Sequence, residues 1–163
     1  MTLIALKNYQ RNIIETCLTG DLECFPKLRG QVSNLWIEEE SSNQLHGALH
    51  LRYLGDANNI TSGKYKDFEI SDTVVWFNEF NGPAYVDLKV WKGEIYKLEI
   101  GLSAFVESDH HDRSAFLQIE KVGWLTYEAI GTGFKETEVC IFDSNERNFD
   151  GALGYYFPTY SDS

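Results

Sequence analysis

The stretch that decides the fold runs from Pro83 to Ala104 and reads PAYVDLKVWKGEIYKLEIGLSA. Apolar and polar residues alternate on either side of Lys92-Gly93, the period-two pattern of two half-buried strands joined by a hairpin. Parity fixes the expected register. A two-residue loop at Lys92-Gly93 would set Leu88 against Lys97 and Val86 against Glu99, mixing core and solvent faces. An odd loop centred on Gly93 instead pairs Val90 with Tyr96, Leu88 with Leu98 and Val86 with Ile100. Gly93 can supply the positive φ that a three-residue hairpin needs. The expectation is therefore a central hairpin over 84–102 with one dry face. Its other face, carrying Asp87, Lys89, Lys97 and Glu99, is solvated with opposite charges on the diagonals.

Working outward, strands dominate on both sides of the hairpin. His46 to Tyr53 alternates, with Leu49, Leu51 and Tyr53 on one face and His46, His50 and Arg52 on the other. Gly55 to Gly63 reads as a loop. Phe68 to Ile70 and Thr73 to Phe80 read as strands, and Asn81-Gly82-Pro83 turns the chain into the hairpin. Beyond it, Glu107 to Arg113 is a polar excursion. Phe116 to Tyr127, interrupted by Gly123, and Glu138 to Asp143 supply further strands, with Gly131-Thr132-Gly133 as a turn. Ala152 to Tyr160 is a last strand or a docking arm.

Helices are expected only near the start. Leu6, Tyr9, Ile13 and Cys17, flanked by Ile14 and Leu18, form an apolar stripe of about four turns that Gly20 is placed to cap. Phe25-Pro26 opens a second helix in which Leu28, Val32, Leu35 and Trp36 share a side. Glu38, Glu39 and Glu40 then belong to a polar connection. The fold class is α+β, one domain over 1–163: two N-terminal helices packed on a mostly antiparallel sheet of about six to eight strands. At 163 residues such a chain can bury a substantial core without metal or disulfide.

Charge is the strongest global datum. The net charge is -11, and residues 106–163 hold 11 acids and 4 bases. Such a surface repels nucleic acid and anionic lipid and attracts basic proteins. No membrane span or signal peptide is read from the sequence, and three cysteines without metal spacing suit a cytoplasmic location.

Catalytic motifs fail on inspection. His46 and His50 have HxxxH spacing, but on a strand the rings stand roughly 13 Å apart, and Gly47 occupies the position of the metalloprotease glutamate. Asp109-His110-His111-Asp112 contains the Asp-His-His of metal-dependent phosphoesterases without their further aspartate motifs. Gly101-Leu102-Ser103-Ala104-Phe105 lacks the closing glycine of a nucleophile elbow. Asp143-Ser144-Asn145 begins like a calcium loop, but Arg147 and Asn148 break it. No cofactor is expected and no catalytic residue is assigned. Aromatic residues make up 14% of the chain. Trp36, Trp76, Phe77 and Tyr96 are expected in the core, while Tyr155, Tyr156 and Tyr160, set among acids, have the composition of a recognition surface.

A leading helix, Phe25-Pro26, and the pattern Gly93-x-Ile95-x-x-Leu98-Glu99-Ile100 resemble a family of small uncharacterised bacterial domains, over about residues 5–105. As a small, acidic α+β chain without catalytic residues it is also similar to the immunity proteins of bacterial toxin systems, such as those of contact-dependent growth inhibition. That resemblance implies a cytoplasmic inhibitor whose partner is a cognate toxin, a basic nuclease being the natural example. The expected contact surface is Asp109, Asp112, Asp143, Glu146 and Asp150, whose carboxylates would take the places of substrate phosphates, with Tyr155 and Tyr156 as anchors. A second reading is a β-rich ligand- or carbohydrate-binding module using an exposed aromatic platform. A third is a metal-dependent hydrolase using His110 and His111.

Overall fold

In the computed structural model residues 2–41, 47–102 and 117–155 are described, with Glu138, Asp150 and Tyr155 described by backbone only. The chain opens with a short strand, β1 (Leu3–Ala5), and enters α1 (Asn8–Cys17). A second helix, α2 (Phe25–Gln31), leads through a 3₁₀ turn into β2 (Leu35–Glu38). There follow β3 (Gly47–Tyr53), β4 (Phe68–Phe77), β5 (Pro83–Trp91) and β6 (Glu94–Leu102). The last third supplies β7 (Ile119–Ile130), β8 (Gly133–Ile141), the single helical turn α3 (Phe149–Ala152) and β9 (Leu153–Tyr155).

All nine strands form one sheet, antiparallel at every described pairing, in the order β1-β2-β3-β6-β5-β4-β7-β8, with β9 alongside β4. α1 and α2 cover one face. Tyr9, Ile13, Ile14 and Cys17 from α1 and Phe25 and Leu28 from α2 are buried against Leu49, Leu51, Ile70, Val75, Val86, Leu88 and Leu98 of the strands. The α+β class stands, but the helices lie elsewhere than expected. α1 is shorter than four turns and its C-cap is Leu18. α2 ends at Gln31, so Leu35 and Trp36 belong to β2, opposite Tyr53 and Arg52. With strand alternation in place of helical spacing, Leu35 is buried and Trp36 is exposed, against the expectation of a core tryptophan. With β1 and β2 the described residues form nine strands, against the six to eight expected.

The central hairpin keeps its core pairing by a different route. Leu88 faces Leu98 and Val86 faces Ile100, as the alternation requires. The loop, however, is the two-residue one: Trp91 pairs with Glu94, and both Lys92 (φ 53°) and Gly93 (φ 80°) have positive φ. A register shift sets Val90 against Ile95, so Tyr96 becomes an extra, half-buried residue and Ile95 takes its place in the core. A bulge thus solves the parity conflict that had argued for an odd loop. The tip is held from outside the hairpin. Gln31, fully buried, donates to the carbonyls of Asn59 (2.7 Å) and Gly93 (2.9 Å) and accepts from the Ile95 amide (2.9 Å). The Gly93 amide donates to Lys66 O at 2.8 Å, and a Cβ on Gly93 would lie 2.1 Å from Thr61 O. The outer face is half-buried rather than solvated. Lys89 reaches Glu69 and Glu99 at 3.6 and 3.3 Å, and Lys97 reaches Glu99 at 3.1 Å.

One buried ion pair ties the last third of the chain to the rest. Arg147 donates from Nε and Nη2 to both carboxylate oxygens of Asp72, at 2.7 and 2.6 Å, with both side chains wholly buried. Its Nη1 donates to the carbonyls of Cys17 and Thr19, each at 2.8 Å, satisfying groups at the C-terminal end of α1. The guanidinium lies 4.9 to 5.6 Å from the ring centroids of Phe149, Phe25 and Trp124. Breaking such a pair leaves an uncompensated charge in the core, at a cost of about 3–5 kcal/mol. Arg147→Ala and Asp72→Ala should therefore each lower the unfolding free energy by about that amount in urea titrations. The double change Arg147→Met with Asp72→Leu should be less destabilising than either single one.

Candidate interaction surface

The register of β4 shows how the ion pair shapes the surface. β7 pairs with β4 from Phe77↔Ile119 to Thr73↔Trp124, and β9 pairs with it from Ile70↔Leu153 to Phe68↔Tyr155. The exchange falls at the irregularity between Ile70 and Thr73, which holds Asp72. Because β9 takes the place beside Phe68–Ile70, β7 parts from β4 after Trp124. The β7–β8 hairpin goes on alone as a two-stranded arm, turning at Gly131 (φ 59°).

The arm is open to solvent from Glu128 to Glu136, and it is not a purely polar loop. Ile130, Phe134 and Val139, with Phe142 just beyond β8, are 46–58% exposed. Its charges are mostly negative: Glu128, Glu136 and Glu138 against Lys135. β8 itself is a poor edge for adding another strand, because its pairing slips between Leu125 and Tyr127 and bulges it outward. Thr126 fills that irregularity, sharing a hydrogen bond with the Thr137 hydroxyl and donating to Val139 O at 3.0 Å.

At the base of the arm the Tyr127 hydroxyl donates to Ser71 O at 3.4 Å. Burial, then the nearby carboxylates of Asp72, Glu136 and Asp87, push its phenol above the ordinary range. Asp87 is raised first by burial and then by Glu69 and Glu99, against the Ser71 hydroxyl that hydrogen-bonds it. Burial also acts to raise Glu99, but hydrogen bonds from Lys97 and Lys89 more than offset it and hold this carboxyl low. On the arm's other flank, Lys121 sits 4.4 Å from the Trp76 ring centroid and 5.1 Å from that of Phe142. The two rings are 5.9 Å apart, so an aromatic pair here already holds a cation.

Of the residues singled out in the sequence, Asp143 and Glu146 bracket the 3₁₀ turn Ser144–Glu146 and both are exposed. Asp143 accepts from the Asn145 amide at 2.9 Å, which makes this segment a side-chain-closed turn. Asp150 lies on α3, on the far side of Arg147, and Tyr155 ends β9 opposite Phe68. Asp143, Glu146 and Asp150 thus share one stretch anchored by Arg147. Asp109, Asp112 and Tyr156 lie outside the described residues, as do His46, His110 and His111. Among the described residues no group of three or more His, Cys, Asp or Glu is placed to hold a metal ion.

Cys17 and Cys24 are buried and unpaired, and burial pushes both thiols up to about 12, so neither is set up as a nucleophile. No described helix is long and apolar enough to cross a membrane.

Sequence reasoning missed the arm. Its signal was present in the apolar residues on both sides of Gly131-Thr132-Gly133, among charges that no core would admit. It also missed Arg147, which stands in a polar stretch with nothing nearby to mark it as buried.

Compared with protein-family models, with curated proteins and with solved structures, the chain matches none.

The raised Asp87 carboxyl gives a pH test with a definite sign. A carboxyl whose folded pKa lies above its ordinary 3.8 favours the folded state when protonated, and that contribution is lost as pH rises through the folded pKa. Asp87→Asn should therefore raise the stability of the chain at pH 7 relative to its stability near pH 4. Urea titrations at the two pH values check this, and a variant destabilised more at pH 7 than at pH 4 would contradict the sign.

Proposed function

We propose that the chain is an inhibitor of the immunity type, which binds a basic protein toxin, such as a nuclease, and covers its active site. The observation that carries this reading is the arm, where Ile130, Phe134 and Val139 are exposed among carboxylates, with Phe142 exposed just beyond it. Exposed apolar side chains inside a polar rim are the composition of a protein contact, in which desolvated anchors give affinity and charges give orientation. Asp143 and Glu146 extend the negative surface directly after β8, held by a turn that the buried Arg147 secures. Such a surface draws a cationic protein by long-range attraction, which raises the association rate and makes it salt-dependent. No substrate chemistry is required of the chain. Its carboxylates would occupy the positions that phosphates take on a nuclease.

The test uses the product of the neighbouring reading frame as the candidate partner, purified with this chain from a co-expressing strain. Association should slow as salt is raised, and Asp143→Lys with Glu146→Lys should slow it by about tenfold and flatten the salt dependence. Phe134→Ser should act mainly on dissociation. Absence of a complex, or association unchanged by the charge reversals, would contradict the reading.

A further inference from the structure

A concave feature lies in the opposite half of the sheet from the arm. β3 pairs with β6 from Gly47↔Ile100 to His50↔Lys97 and no further, because the extra residue Tyr96 draws β6 aside. Where the two strands part, a cleft of about 430 Å³ opens between Leu51–Leu54 and Glu94–Tyr96. Its outer wall is Trp91, 50% exposed, with the Tyr96 ring 6.0 Å away and tilted by 54°. The Lys92 ammonium lies 4.7 Å from the indole centroid. The facing wall presents His50, Arg52 and Glu38, with Arg52 Nε 3.4 Å from Glu38 Oε1. Trp36, exposed as well, stands opposite Arg52 on β2. Two of the four tryptophans of the chain are thus exposed on this part of the sheet, against the ordinary preference of indole for burial.

Charge narrows the ligand class. In a chain of net charge -11, the cleft sets Arg52 and Lys92 against Glu38 and Glu94, so its fixed charges balance. It has no excess charge with which to select a phosphate, a nucleic acid or a simple cation. What it offers is an aromatic wall, with the Lys92 ammonium over one side of its indole, beside planar groups that donate and accept hydrogen bonds. That combination suits a molecule with one apolar face and a rim of hydroxyls, and the volume falls within the usual range for small-molecule sites. We propose that this cleft binds a neutral saccharide of one or two pyranose rings, its C–H face on Trp91 and its hydroxyls on Arg52 and Glu38. The site shares no residue with the acidic arm, so it stands or falls separately from the inhibitor reading.

Saccharide titrations followed by the indole N–H signals in two-dimensional NMR of the intact chain test it directly. The panel is glucose, galactose, mannose, N-acetylglucosamine and their 1,4-linked disaccharides, with glucuronate and a sulfated sugar as charged controls. At least one neutral sugar should shift the Trp91 signal saturably. Trp91→Ala, followed through the Trp36 indole signal, and Arg52→Ala should each weaken that binding by about tenfold or more, the equivalent of about 1.4 kcal/mol, while Asp143→Lys leaves it unchanged. Thermal unfolding of each variant separates loss of the cleft from loss of the fold, and the signal map of the unaltered chain needs no variant. The proposal is overturned if no neutral sugar moves the Trp91 signal, if binding survives Trp91→Ala, or if only the charged controls bind.

Discussion

The buried pairing of Arg147 with Asp72 is the constraint on which the rest of the structure depends. A guanidinium stays charged, so once it is inside, its donors need partners. Here Asp72 meets the fork with both oxygens, and the end of α1 supplies two carbonyls that would otherwise be left over. The arrangement joins three parts of the chain that are distant in sequence: the last turn of α1, the irregularity in β4 and the segment after β8. It also accounts for the sheet's odd bookkeeping at β4, where β7 gives way to β9 beside the residue that holds the arginine.

From that exchange the surface follows. A β7 that stayed on β4 along its whole length would leave no arm. Because β9 occupies the lower half of β4, the β7–β8 hairpin must leave the sheet, carrying apolar side chains into solvent together with carboxylates. A two-stranded ribbon has little stability of its own, and this one is footed by Trp124, Leu125 and Tyr127, all at least half-buried. At its base burial first, and the nearby carboxylates second, push the Tyr127 phenol and the Asp87 carboxyl upward. Structure and charge therefore converge on one region, behind which the ion pair is wholly buried.

Much of this was legible in the sequence wherever a single periodicity ruled. The strand Gly47–Tyr53 buries Leu49, Leu51 and Tyr53 and exposes His50 and Arg52, as its alternation demands. The hairpin pairs Leu88 with Leu98 for the same reason. Failures came where a local pattern had two solutions. Leu28, Val32, Leu35 and Trp36 fit a helix, yet the chain changes to strand at Leu35 because β1 and Tyr53 offer pairing on either side. Parity at Lys92-Gly93 excluded a two-residue loop only for a regular ladder, and a bulge at Tyr96 removes the conflict. The tertiary contacts of Gln31 and of the Thr61 segment, which fix that turn, involve residues some thirty to sixty positions away. The exposure of Asp143 and Glu146 was legible from their polar stretch, while the apolar arm beside them went unread.

The arm leaves the sheet at Trp124 and is proposed as the contact surface for a cationic protein. Amide hydrogen exchange along β7 and β8, measured free and with the bound partner, tests this most directly. In the free chain the amides of residues 119–124 should exchange slowly and those of 128–136 much faster, with protection spreading over 128–146 in the complex. Equal protection along both halves of β7 in the free chain, or protection gained only elsewhere on binding, would contradict it.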